Sequence, residues 1–335
     1  MEIGLIIEWL VKSLIIILAM TGGFAYLTWM ERKVLARMQS RYGPNRAGPF
    51  GLFQPVADGI KLIFKEELIP GNADKLMFVL APVMTVIPAL IITAVIPWGD
   101  FSFPIGEQQI SLHLANVNVG VLYILSVTSI SIYGIALAGW ASNNKYATMG
   151  GLRATAQMIS YELAMGFSVM GPIMMAGSMG MLDIVRAQKP MWYIVLQPVA
   201  FVIFYIVSLA EVNRAPFDMP EAEQELVAGY HSEYSGMKFA LFFMAEYIKM
   251  IAIAMIGSSL FLGGFQGPFV KQLPWLGPIW LFVKVVAWLF TMIWIRATLP
   301  RIRYDRLMAF GWKILFPIAL LNVLVTAAIV LLIGA

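Results

Sequence analysis

The stretch Phe239-Ala-Leu-Phe-Phe-Met-Ala-Glu-Tyr-Ile-Lys-Met-Ile-Ala-Ile-Ala-Met-Ile-Gly-Ser-Ser-Leu-Phe-Leu262 decides the fold class. About 20 predominantly apolar residues carry a helix across a bilayer. This run reaches that length with only Glu246 and Lys249 ionisable. Seven further runs of the same kind lie at 5–30, 76–98, 119–140, 154–177, 191–210, 276–295 and 310–333. The expected fold is an all-α polytopic membrane protein with eight transmembrane helices. The first run lacks a basic flank and a small-residue cleavage site and is too long for a signal-peptide core, so it is expected to stay.

Composition agrees with that reading. The 335 residues are 60% hydrophobic and 13% charged, with mean hydropathy +0.80. Soluble domains hold about 45–50% apolar and about 25% charged residues, so a water-soluble globule and a disordered chain are excluded. The chain has no cysteine and only two histidines, His113 and His231. Disulfides, thiolate chemistry and cysteine-bound iron–sulfur clusters are therefore excluded within it. No repeat, linker or low-complexity tract divides the chain, so 1–335 reads as a single membrane domain.

Sixteen Lys and Arg fall in the odd-numbered loops, at about 31–75, 141–153, 211–238 and 296–309, against three in the even-numbered ones, Arg186, Lys189 and Lys271. The basic side is cytoplasmic, so both termini face outward, and the two histidines lie on opposite sides, which excludes a haem held by both. The net charge of +4 records this topology and points to no nucleic-acid partner.

The first cytoplasmic loop is more than a connector. Its turn-rich segment 41–49 precedes an amphipathic stretch, 51–66. At about 100° per residue, Leu52, Phe53, Val56, Ile60, Ile63 and Phe64 share one arc, and Gln54, Asp58, Lys61 and Lys65 oppose it. An interfacial helix of this kind lies in the membrane surface. It is either a plain anchor or the roof of an opening from the lipid.

The fifth loop, 211–236, holds Glu211, Asp218, Glu221, Glu223, Glu225 and Glu233 against the single base Arg214. Asp218, Pro220 and Glu221 read as the capped start of a helix, with Gly229 as its stop. Capping on a solvated acidic helix accounts for part of this charge. The interleaved Phe217, Met219, Leu226, Val227 and Tyr230 point instead to packing between membrane helices and a partner.

Glu162, Glu246, Lys249 and Lys284 lie inside the apolar runs, where each ionisable group costs about 2.5–3.5 kcal/mol on insertion scales. Counted at about 1.5 Å per residue, all four fall in one layer between the cytoplasmic half and the centre. They form either a structural ion-pair set, Glu246 with Lys249 at i,i+3, or a proton or ion path.

The segments 51–66 and 211–236, together with Glu31-Arg-Lys33 and 41–48, resemble the signature segments of the H subunit of bacterial respiratory complex I, the proton-pumping NADH:quinone oxidoreductase, in a family that includes mitochondrial subunit 1. The resemblance extends over essentially the whole chain. It implies a bacterial inner-membrane subunit at the heel of the membrane arm, forming much of the quinone channel with peripheral-arm subunits, one of which holds the last iron–sulfur cluster. Ubiquinone or menaquinone would be substrate, with no metal, haem, flavin or cluster in this chain. Carried over by motif, the proton path would use Glu162, Glu211, Asp218, Glu221, Glu223, Glu225, Glu233 and Glu246. The channel wall would use Arg32, Arg41, Gln54, Asp58, Lys61, Phe64 and Phe217. The third run lacks a carboxylate that some members have. The equivalent subunit of a ferredoxin-, deazaflavin- or hydrogen-linked complex and a stand-alone proton or cation transporter are the alternatives; the latter would be expected to show an inverted repeat with two broken helices.

Overall fold

The computed structural model describes residues 2–105, 108–219 and 227–334. Helix α1 (Glu2–Met38) is followed by the short α2 (Gln54–Ile63) and by α3 (Lys75–Ile92). Then come α4 (Gly120–Ala141), α5 (Lys145–Ala176), α6 (Met181–Ala187), α7 (Tyr193–Leu196) and α8 (Pro198–Glu211). The chain ends with α9 (Gly236–Phe261), α10 (Gly277–Thr298), α11 (Tyr304–Phe310) and α12 (Phe316–Gly334). A two-stranded antiparallel hairpin, Ser102–Ile105 with Gln108–Ser111, links α3 to α4 and is the one departure from an all-helical fold among the described residues.

Among the described residues, seven helical units are long and apolar enough to cross a membrane: α1, α3, α4, α5, α9, α10 and the run from α11 into α12. The eighth expected span, 191–210, is two pieces, α7 and the fourteen-residue α8. Pro198 has no N–H to give and disfavours helical backbone at the residue before it. Gln197 accordingly adopts φ −129°, ψ 55°. Its side chain bonds Thr326 (2.9 Å) and Asn322 (3.1 Å) of α12, so the break is satisfied inside the bundle. The last span also starts earlier than its apolar run, with α11 passing through a π-helical turn, Gly311–Leu315, into α12. Pro317 removes a backbone donor just beyond that turn.

Local chemistry fixes the ends. The Asp74 carboxylate accepts from the Leu76 and Met77 amides at the start of α3, and the Asn144 side chain accepts from the Tyr146 amide at the start of α5. Gly177 ends α5 at φ +66°, a left-handed stop that needs no Cβ. The amphipathic stretch 51–66 does form a helix, shorter than its apolar arc, running from Gln54 to Ile63 after a turn at Pro49–Gly51.

Small residues bring the helices together, as in other membrane bundles. A Cβ on Gly134 of α4 would lie 2.5 Å from Thr85 of α3, and one on Gly139 would lie 2.7 Å from the Ala147 carbonyl of α5. Helix α9 is the axis: every residue from Tyr247 to Phe261 is buried, among α1, α3, α8 and α10.

Candidate functional site: a buried chain of ion pairs beside an apolar cavity

After α8 the backbone reverses sharply. Asn213 takes φ +54°, a region asparagine tolerates better than most residues. The Arg214 amide donates back to the Leu209 carbonyl at 3.2 Å. The buried Gln157 amide of α5 donates to the carbonyls of Ala210 and Phe217, both at 2.8 Å, and so pins the turn. This reversal turns Arg214 into the bundle, where it is 7% exposed.

Arg214 stands between two carboxylates. Its Nη1 donates to Glu31 of α1 at 3.1 Å, and its Nε lies 2.5 Å from Glu246 of α9. Its guanidinium also faces the Tyr247 ring at 4.3 Å. Glu31, 4% exposed, is shared with Arg296 of α10. One turn further along α9, Lys249 faces Glu211 at 4.0 Å, and the Glu211 side chain is fully buried. A cavity of about 30 Å³ adjoins Glu211, Asn213, Glu246 and Lys249, a size that suits a bridging water. Both Glu211 oxygens lack a hydrogen-bond donor among the described residues. Glu162 of α5 accepts from Ser129 of α4.

The structure thus brings Glu211 and Glu246 together from α8 and α9 at one small cavity, while Glu162 of α5 bonds Ser129 of α4. It does not pair Glu246 with Lys249, the i,i+3 expectation, because each has a partner on another element. Glu233 instead accepts from Asn144, 2.5 Å away, at the start of α5. The Asp218 backbone carbonyl accepts from Arg301. Glu221, Glu223 and Glu225 lie outside the described residues. So does most of the expected capped helix; its N-cap candidate Asp218 and its expected stop fall within them, and there Gly229 opens a short turn at φ +60°.

Lys284 is not in this layer. Its ammonium donates to the carbonyls of Leu262 (2.6 Å), Gly264 (2.8 Å) and Gln266 (2.5 Å), beyond the far end of α9. The depth count missed this because it took no account of where the 262–276 connection lies, and that connection reaches Lys284.

A second feature lies beside the charge chain. A cavity of about 310 Å³ opens between α1, α2 and α9, walled by Phe24, Ala25, Phe239, Ala240, Phe243 and Met244, with Arg32, Asp58 and Lys61 among its polar lining. Arg32 pairs with Asp58 at 2.6 Å, Lys61 stands 4.0 Å from the same carboxylate, and Gln54 donates to it at 3.3 Å. The other channel residues taken from the motifs lie elsewhere. Arg41 bonds Gln39, Phe64 is 85% exposed, and Phe217 packs on Tyr161.

Three residues of the charge chain escaped sequence reading in this role. Arg214 was visible as the one base of an acidic loop. Glu31 and Arg296 sit where apolar runs meet basic loops, and nothing in the local pattern tells a buried end from a solvated one.

The family model described as NADH dehydrogenase matches residues 11–327. The NADH-quinone oxidoreductase H subunit of Thermomicrobium roseum is 50% identical, covering 97% of this chain and 96% of its own. The H subunit numbered 1 in Geobacter metallireducens is 53% identical and the one numbered 2 in Syntrophobacter fumaroxidans 51%, each covering 92% of both chains. Matched nearly end to end by such relatives, the chain belongs to the H-subunit family of NADH-quinone oxidoreductase.

Proposed function

We propose that this chain, a membrane subunit of NADH-quinone oxidoreductase, walls the quinone channel and couples quinone reduction to proton translocation through its buried carboxylates. The observation that supports this best is that two helices serve both features. On α1, Thr28 and Arg32 line the apolar cavity while Glu31 turns to Arg214. On α9, Ala240 and Met244 line the same cavity while Glu246 turns to Arg214. An isoprenoid tail suits the apolar walls, and a polar head suits the Arg32–Asp58–Lys61 group. A change of charge or position at the cavity therefore acts on a neighbouring ion-pair chain through rigid helix.

The roles divide by residue. Arg32, Gln54, Asp58 and Lys61 orient the quinone's path, with Arg41, Phe64 and Phe217 serving the channel outside the cavity described. Glu246, Glu211 and Glu162 pass protons inward from the acidic loop, where Asp218, Glu221, Glu223, Glu225 and Glu233 supply them. Electrons reach the quinone from a cluster on a peripheral-arm partner, and protons move along neighbouring membrane-arm subunits.

We read the whole chain as one domain with eight crossings. Helices α5 and α9 both start at the end that holds Glu233 and Asn144, which supports reading α7 with α8 as a crossing between them. The Lys/Arg asymmetry sets the acidic loop on the cytoplasmic side of a bacterial inner membrane, with both termini outside.

The test separates quinone chemistry from electron input. Asp58→Asn and Gln54→Ala are expected to impair quinone reduction while transfer from NADH to an artificial acceptor stays at the wild-type rate. Unchanged quinone kinetics in both variants would remove the channel role. Loss of both activities together would reassign α2 to assembly.

A further inference from the structure

The end of the bundle opposite the acidic loop carries a feature that quinone chemistry does not use. A cavity of about 420 Å³ lies between the 262–276 connection, Lys189, Trp192 and Asp100. Basic side chains are scarce at this end, yet they gather here. Asp100 is neutralised by Arg186 through two contacts, at 2.5 and 3.1 Å. Lys284 is used up below the cavity on three backbone carbonyls, 4.6 Å from the Trp192 ring. That leaves Lys189 and Lys271, both exposed and both lining the cavity, with no ion-pair or hydrogen-bond partner for their ammonium groups among the described residues.

The cavity is built rather than incidental. Gly263 passes under Trp192 at φ +72°, where a Cβ would meet the indole at 3.0 Å. Gly267 lies under Trp280, where a Cβ would come within 2.5 Å, and the Trp280 N–H donates to the Pro268 carbonyl at 3.1 Å. Beside that lining, the same connection exposes apolar side chains: Phe269 is 68% exposed, Trp275 54% and Leu273 44%. Tryptophans at this level are the usual residues of a membrane–water interface. Two unpaired ammonium groups at the cavity, with exposed apolar side chains on the adjoining connection, match one chemistry, a negatively charged head joined to hydrocarbon.

We propose that this cavity binds the headgroup of an anionic phospholipid, with the phosphate between Lys189 and Lys271 and the acyl chains along Phe269, Leu273 and Trp275. The lipid would brace the 262–276 connection against the rest of the outer end.

The test uses the whole complex in phosphatidylcholine nanodiscs holding a trace of photoactivatable phosphatidylglycerol. Cross-links are expected on peptides spanning 186–192 and 266–275. The double variant Lys189→Gln, Lys271→Gln should lose about tenfold or more of that labelling, since each lysine near an anionic surface contributes substantially to attraction. Lys145→Gln, an exposed lysine at the opposite end, should keep it. Lys271→Gln alone, in an exposed turn, should lose part of it, and this variant decides the matter if the double variant does not assemble. Four outcomes would overturn the proposal. They are equal labelling of variant and wild type, equal labelling by a phosphatidylcholine analogue, displacement by inorganic phosphate, and labels confined to a neighbouring subunit that covers the cavity.

Discussion

Arg214 is a cation that the bundle cannot lose cheaply. Removing one partner of a buried ion pair costs about 3–5 kcal/mol, because the other charge stays behind without compensation. Arg214→Met is therefore expected to lower the thermal stability of the assembled complex, because Glu246 loses an ion-pair partner that lies 2.5 Å away. Arg214→Met combined with Glu246→Leu should recover a large part of that loss, because Glu31 keeps Arg296. Thermal inactivation of the detergent-solubilised complex measures both; equal stability of wild type and the Arg214 single variant would dismiss the pair as a structural element. The sequence exposed Glu162, Glu246, Lys249 and Lys284 because each interrupts an apolar run. It could not expose their partners. Whether Lys249 meets Glu246 three residues away or Glu211 on another helix depends on how α8 and α9 pack, and hydropathy holds no record of that.

At the scale of elements, close helix approach at glycine has a plain consequence. Gly134→Val puts side-chain atoms where Thr85 and the Ala81 carbonyl already lie within 3 Å. Overpacking of that kind costs about 1–3 kcal/mol, so the variant should reduce the amount of assembled complex. A wild-type yield from equal expression would mean that α3 and α4 part easily. Hydropathy found every long helix, because burial in lipid and burial in protein both demand apolar side chains. It misjudged their ends for the same reason. Helix α1 runs on to Met38 and α5 begins at Lys145, and those polar turns are held by tertiary partners rather than lipid. It also merged α7 and α8, although Pro198 marked the break. The interfacial helix was legible from its arc, and its cavity was not, since that depends on α1 and α9 coming to face it.

For the whole molecule, orientation is open to direct measurement on a cysteine-free background. Lys145 and Gln272 are exposed at opposite ends of the bundle. Lys145→Cys is expected to react with an impermeant thiol reagent only from the cytoplasmic side, and Gln272→Cys only from outside; the reverse pattern would invert the topology and move the acidic loop away from the peripheral arm. Helices α1 and α9 join the apolar cavity to the ion-pair chain, and Glu211 is the residue on which the proposed coupling is most exposed to test. It is fully buried, faces Lys249 across 4.0 Å, and lies next to a water-sized cavity. Glu211→Gln keeps the shape and removes the ionisable proton. The decisive measurement is quinone reduction and proton pumping, side by side, in proteoliposomes containing the Glu211→Gln complex at wild-type subunit content. Both are expected to fall together, since tightly coupled steps stall as one. Full turnover with full pumping would contradict the proposed coupling and reduce the buried chain to packing.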